Sequence, residues 1–253
     1  MVETDLIRSD LFRQHDLLAC FTMRTGGISP APFDSLNFGE GLGDDTGNIT
    51  ANLKSLMTLV GIARRPHQAR QIHATDVLYC TGEGGMHEQA ADSLIADQCG
   101  TALAVRTADC LPVLLADPEA DIIAAVHAGW RGTAANIVAC TVKEMQKRGA
   151  LPARMIASLG PCIRACCFHI GRDTAEALAA SAPDADRCID LQRETADLAA
   201  INHLQLQHVG LAAGNIESVQ ACTSCNPDAY FSYRREHGRT GRHLAVVARP
   251  AKP

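Results

Sequence analysis

Two short apolar runs, Leu111 to Leu115 and Ile122 to Val126, stand either side of a turn signal at Asp117-Pro118. Runs of that length between turn residues predict a pair of buried strands. Asp109-Cys110 sits at the mouth of the first, and His127 ends the second, followed by Ala-Gly-Trp-Arg-Gly132. From Thr133 to Lys147, apolar residues at Ala134, Ile137, Val138, Val142 and Met145 keep helical spacing. A thiol and an imidazole are therefore expected beside a Gly-rich turn that opens a helix. Free amides at such a start form a natural anion site.

Further strands are predicted at Leu17–Met23, Ala69–Ala74 with Val77–Cys80 as a short pair, Ser93–Ala96, Ala102–Val105, Met155–Leu159, Ser218–Ala221, Ala229–Tyr233 and His243–Ala248. Helices are predicted at Asn48–Val60, Asp173–Ser181 and Thr195–Val209, the first closed by Gly61 and the last by Gly210. Strands and helices mix without a regular βαβ period, no repeat appears, and no low-complexity linker divides the chain. The expected class is α+β, one domain over residues 1–253, with mixed sheets and flanking helices. The irregular stretch Ile28 to Asp45 is long enough to suggest function. Ahead of it, Arg24 offers a fixed charge, and Gly26-Gly27 offers close backbone approach.

The strongest chemical constellation is His73, Cys110 and His127. Imidazole and thiolate both ligate Zn²⁺, and three protein ligands with one open position is the pattern of a catalytic site. Spacing alone does not decide it, because ten histidines and eleven cysteines offer many triples. The same residues also read as two core histidines and a buried thiol. Cys222-Thr-Ser-Cys225 is the only C-x-x-C and lacks a second pair of suitable spacing, so it reads as incidental. Adjacent Cys166 and Cys167 read as poor joint ligands.

The net charge of −5 and an aromatic content of 4% argue against a nucleic-acid partner. No apolar run approaches a membrane span. The charged start of the chain lacks the apolar core of an export signal, so reduced thiols and a cytoplasmic location are expected.

Gln71-Ile-His73, Thr107-Ala-Asp-Cys110 and His127-Ala-Gly-Trp-Arg-Gly132 resemble the YfiH-like family. Its members are variously called laccase-domain polyphenol oxidase, peptidoglycan-editing factor and purine nucleoside phosphorylase. The likeness covers nearly the whole chain, through Arg24-Thr-Gly-Gly-Ile-Ser29, Ser35-Leu-Asn37, Gly43-Asp-Asp45, Gly160-Pro161, Phe231-Ser-Tyr-Arg-Arg235 and Thr240-Gly-Arg242. Three positions depart from the family's usual pattern: Leu53 after Asn52, Arg164 after Ile163, and His169. The resemblance implies an α+β fold grouped with cysteine-hydrolase-like toxins.

It also implies that His73, Cys110 and His127 hold Zn²⁺ or Cu²⁺, and that Arg24 and Asn37 are the family's loop residues. Gly129 and Arg131, at the expected helix start, join Arg24 and Asn37 as candidate phosphate and substrate contacts. Asp109 is a candidate to orient a ligand. The implied activity is phosphorolysis of adenosine, inosine, guanosine and methylthioadenosine, with adenosine deamination as a side activity. Substrate and phosphate are the expected partners, with a monomer or small homo-oligomer as the assembly. The alternatives are a hydrolase with Cys110 as nucleophile and His127 as base, a copper-dependent polyphenol oxidase, and a binding scaffold with a structural zinc.

Overall fold

A computed structural model describes residues 6–250. In chain order its strands are β1 (Leu6–Arg8), β2 (Leu18–Thr22), β3 (Gln68–Arg70), β4 (Val77–Tyr79), β5 (Met86–Ala90), β6 (Ser93–Ala96), β7 (Ala102–Thr107), β8 (Leu111–Asp117), β9 (Ile122–Ala128), β10 (Ile156–Leu159), β11 (Ile189–Asp190), β12 (Thr195–Ala196), β13 (Ile216–Ser218) and β14 (His243–Ala248). The helices are α1 (Asp10–Arg13), α2 (Thr46–Val60), α3 (Trp130–Ala134), α4 (Ile137–Gln146), α5 (Arg172–Ala179) and α6 (Leu198–His208).

Two sheets dominate. One has the order β1-β2-β14-β7, and the other β13-β10-β8-β9-β6-β4. The four-stranded sheet is antiparallel throughout, whereas the six-stranded sheet is mixed, with β10–β13 and β4–β6 parallel. Alternation along the central strands explains the layering. Leu111, Val113 and Leu115 of β8 point to one apolar cluster with Ile137, Val138 and Val142 of α4 and Leu206 of α6. Leu114 and Ala116 of the same strand point the other way, against Leu103, Val105, Ala245 and Val247 of the four-stranded sheet. The far side of that sheet packs Leu244 and Val246 against Leu53 and Leu56 of α2. The result is helix, sheet, sheet, helix, with β8 and β9 buried on both faces. Both faces of these strands must be apolar, which is why they read as continuous runs. None of the helices among the described residues is long and apolar enough to cross a membrane.

The expected α+β class with mixed sheets and flanking helices is borne out as a mixed fold of several sheets and few helices, and several local expectations are corrected. The helix expected over Thr133–Lys147 is two helices, because Asn136 adopts a left-handed conformation (φ 63°) between α3 and α4. The segment Ala69–Ala74 does not pair with Val77–Cys80: β3 pairs with β5, and β4 with β6. Residues 229–233 form no strand: 229 and 233 lie in turns, and 230–232 are irregular. Thr195-Ala196 is a short strand, and α6 starts only after the Asp197 cap.

Candidate active site

β8 opens directly after Cys110, and the antiparallel register sets His127 of β9 opposite Pro112. Thiol and imidazole thereby meet at one end of the central hairpin. His73 joins them from the turn that follows β3, with its backbone in the left-handed region (φ 59°). The sulfur of Cys110 and one ring nitrogen each of His73 and His127 lie within 4.8 Å of one another. The two imidazole centroids are 4.8 Å apart at 68°. Gly129 backs the cluster, since a Cβ there would sit 2.7 Å from His73 Nδ1 and 3.1 Å from Cys110 Sγ.

Asp92, fully buried just ahead of β6, organises two of these three residues. Its carboxylate lies 2.8 Å from His127 Nδ1 and accepts the successive amides of Ile72, His73 and Ala74 at 2.8–3.0 Å. Burial pushes its pKa up, but the His127 contact and those amides outweigh it and hold Asp92 below the usual carboxylate range. A carboxylate on Nδ1 leaves Nε2 for the site and fixes the ring. Burial alone would raise the Cys110 thiol, yet the charge and hydrogen bonding of His127 and His73 lower it. His127 is raised in turn by Cys110 and Asp92, against the effect of its burial. Each group thus favours the charged form of the other.

The donor set suits a single borderline cation. Two imidazoles and a thiolate are ordinary Zn²⁺ ligands, with the fourth position left to the pocket. Cu²⁺ would bind the same N and S donors tightly.

Asp109, a candidate to orient a ligand, hydrogen-bonds neither imidazole. Its backbone is left-handed (φ 90°). Its carboxylate accepts Thr223 Oγ1 at 2.6 Å, Ser232 Oγ at 3.0 Å and the Arg234 amide at 2.7 Å. Asp109 thus ties the residue before Cys110 to the 223–234 segment. Both left-handed residues here are held through buried carboxylates, His73 by Asp92 and Asp109 by its own, an arrangement that concentrates backbone strain at the site.

A cavity of about 490 Å³ opens over His73, Cys110 and His127. Arg70, Arg106, Arg234 and Arg242 line it, together with Trp130, Phe168 and Tyr233. The described guanidinium hydrogen bonds of Arg106 and Arg242 go to backbone carbonyls: Ala69 for Arg106, Thr240 and Gly241 for Arg242. Burial draws both below the usual arginine range, and the charge of Arg106 adds to the effect on Arg242. Glu40 on the same cavity wall partly offsets the charge of Arg106, yet two partly desolvated guanidiniums that repel each other still favour an anion.

Four sequence candidates lie outside the cavity lining. Arg24 donates to the carboxylates of Asp34 and Glu236 at 3.0 and 2.7 Å and to the carbonyls of Asp34 and Pro227, so its charge is spent internally. Asn37 is fully buried, donating to Asp44 and accepting the amides of Gly39 and Arg242. Arg131 is exposed, stacked 4.4 Å over the Trp130 ring. Gly129 contributes space for the cluster. The Gly26-Gly27 turn also serves the fold: a Cβ on Gly27 would meet Ser35 O at 2.1 Å. The helix opened by Gly129 is the five-residue α3, too short for the anion site expected of a long one.

Asp92 and Arg106 are site residues that the sequence alone does not single out, and Arg242 enters there only as part of the Thr240-Gly-Arg242 motif. Arg106 had a visible signal, a lone charge closing the apolar run Ala102–Val105.

Two more donor groups converge elsewhere. His67, Cys80 and His87 lie together, with His67 Nδ1 2.8 Å from His87 Nε2. That imidazole pair satisfies itself by one hydrogen bond. The sulfurs of Cys166, Cys167, Cys222 and Cys225 also lie within 4.8 Å of one another. Both expectations about these cysteines are corrected: the C-x-x-C has a second pair, and the adjacent cysteines converge.

Residues 18–250 match the family model described as multi-copper polyphenol oxidoreductase laccase. A purine nucleoside phosphorylase of Streptomyces coelicolor is 37% identical over 229 residues, 90% of this chain and 93% of that protein. The purine nucleoside phosphorylase YfiH of Escherichia coli is 36% identical, covering 90% of this chain and 92% of its own length. The crystal structure of YlmD from Geobacillus stearothermophilus superposes with a TM-score of 0.90 at 29% identity, covering 99% and 97% of the two chains.

Proposed function

This chain belongs to the multi-copper polyphenol oxidoreductase laccase (YfiH-like) family, and on that premise we propose that it is a purine nucleoside phosphorylase acting as one domain. Adenosine, inosine, guanosine and methylthioadenosine are its substrates, and adenosine deamination is a side activity. Relatives of about this similarity carry the phosphorylase name. The observation that carries the reading is the single cavity that joins a guanidinium pair, flat aromatic side chains and the His73–Cys110–His127 cluster.

In phosphorolysis a phosphate oxygen bonds to the ribose C1′ as the bond from C1′ to the purine nitrogen breaks. The electron pair leaves with the purine, which takes up the proton that phosphate gives up. The chain must therefore hold an anion and a flat heterocycle in line across C1′. Arg106 and Arg242 supply fixed positive charge to phosphate, with Arg70 and Arg234 also on the cavity wall. Trp130, Phe168 and Tyr233 offer faces for the base. His73, Cys110 and His127 would hold one Zn²⁺ or Cu²⁺, with Asp92 fixing His127 in its ligating tautomer. Zinc bound there supplies Lewis acidity toward substrate and, for deamination, a lowered pKa for water. The volume lies within the roughly 300–1,000 Å³ usual for small-molecule sites.

The test is purified protein with inosine and phosphate, following hypoxanthine and ribose 1-phosphate. Product is expected from the wild type and not from Cys110→Ala; undiminished product from that variant defeats the proposal.

One observation favours a second reading. Cys110, His127 and Asp92 also have the order of a thiol nucleophile, its base and an orienting carboxylate. Amide or ester hydrolysis, as in editing of a peptidoglycan precursor, would use that arrangement without a metal. A thiolate bound to zinc cannot act as the free nucleophile. Rapid alkylation of Cys110 in untreated protein supports hydrolysis; protection of Cys110 that a chelator removes supports the phosphorylase.

A further inference from the structure

We propose that Cys166, Cys167, Cys222 and Cys225 form a second, structural zinc site, independent of the cluster in the cavity. All four sulfurs lie within 4.8 Å of one another, with Cys225 Sγ 3.4 Å from Cys166 Sγ and 3.2 Å from Cys167 Sγ. A tetrahedral ion with sulfur at roughly 2.3 Å sets its ligands about 3.8 Å apart. The four thiols thus need shifts of under about 1 Å to close a full tetrathiolate shell, the arrangement of a structural site with no open position.

The surroundings suit thiolates. Cys222-Thr-Ser-Cys225 folds as a knuckle, with the Arg164 amide donating to Cys222 Sγ at 3.5 Å. Four thiolates around Zn²⁺ leave a charge of −2, and three arginines border the group. Arg164 pairs with Asp197 through Nη2 at 3.1 Å but keeps a buried Nη1 without a partner. Arg234 donates to the Cys167 carbonyl at 3.3 Å, and Arg235 to the carbonyls of Thr223 and Ser224 at 2.7 and 3.1 Å.

The site would join two loops remote in sequence, one after β10 and one after β13. Each also shapes the cavity. Phe168 of the first lines it, while Thr223 of the second holds Asp109, the neighbour of Cys110. Zinc here would cross-link the cavity wall from behind in a part of the chain with little regular structure, where an ion substitutes for core.

The test uses the full chain, expressed with zinc and purified without chelator, with metal measured by mass spectrometry. The double variant Cys222→Ser/Cys225→Ser should carry one zinc equivalent less than the wild type. Cys110→Ala should keep that equivalent, so this result is separable from the fate of the cavity site. Because the double variant risks misfolding, a second measurement uses Co²⁺-substituted Cys110→Ala protein. It should show the strong sulfur-to-cobalt charge-transfer band and intense visible bands of a four-thiolate tetrahedral site. Equal zinc in the double variant and wild type, weak cobalt bands, or a disulfide among these four residues in the reduced, zinc-supplied protein would each overturn the proposal.

Discussion

Asp92 holds His127 through Nδ1 at 2.8 Å while the same carboxylate collects the amides of Ile72, His73 and Ala74. One buried acid therefore orients one imidazole directly and positions the turn that delivers the other. The left-handed backbone of His73 (φ 59°) persists because three consecutive N–H groups converge on that carboxylate.

Asp92→Asn tests this double role. The amide keeps the volume but presents a donor as well as an acceptor, so His127 loses its fixed tautomer. Removal of such an outer carboxylate typically costs about 10–100-fold in metal affinity or activity. A loss in that range is expected in both kcat/KM and zinc affinity, measured by steady-state kinetics and by competition with a coloured chelator. Unchanged zinc affinity would mean that Asp92 serves only the turn.

Arg106→Ala and Arg242→Ala should raise the KM for phosphate, whereas Arg24→Ala should not. A charged hydrogen bond contributes about 1.5–3 kcal/mol, or roughly 10- to 150-fold in affinity. Arg24 instead bridges Asp34 and Glu236, so its loss should appear in the melting temperature with phosphate KM near wild type. A phosphate KM defect confined to Arg24→Ala would return the anion site to the N-terminal loop.

The central hairpin and the cavity cluster were legible because β8 and β9 are apolar on both faces and carry Cys110 and His127 at their ends. His73 looked like a strand residue because nothing local shows that a distant carboxylate holds its turn. The Arg24 loop looked like a ligand loop for a similar reason. Glycines that let a chain approach its own backbone, as Gly27 does at Ser35, read the same as glycines that approach a substrate. The four-cysteine group was invisible in the spacing because its halves come from loops remote in sequence, brought together by the β10–β13 pairing and the bridge of Cys162 with Cys222.

Gly129→Ala should damage the site without damaging the fold. The backbone at Gly129 is ordinary extended chain (φ −70°), so a side chain adds no backbone strain. Its methyl would instead lie 2.7 Å from His73 Nδ1 and 3.1 Å from Cys110 Sγ, forcing one of them away. A melting temperature within a few degrees of wild type is expected, together with a loss of activity of at least about tenfold, since misplacement of about 1 Å can cost on the order of a hundredfold. Full activity would show that the cluster tolerates displacement and is not the reacting centre.

Acid should destabilise the protein below neutrality through His243. This residue is buried on β14, with Nε2 accepting the Phe231 amide at 2.8 Å, so the neutral ring is the one the fold needs. Burial pulls its pKa from 6.5 down to about 4. The unfolded chain therefore binds a proton that the folded chain refuses between those two values. Stability is complete above pH 6.5 and falls as pH drops toward 4. At roughly 1.4 kcal/mol per pH unit, the loss attributable to this one residue is about 3 kcal/mol. Burial also lowers His67 and His203, which act in the same direction. Urea unfolding at a series of pH values should show this slope in the wild type and a shallower one in His243→Gln, whose amide can still accept from Phe231 N–H without titrating. Equal slopes in the two proteins would assign the acid sensitivity to other groups.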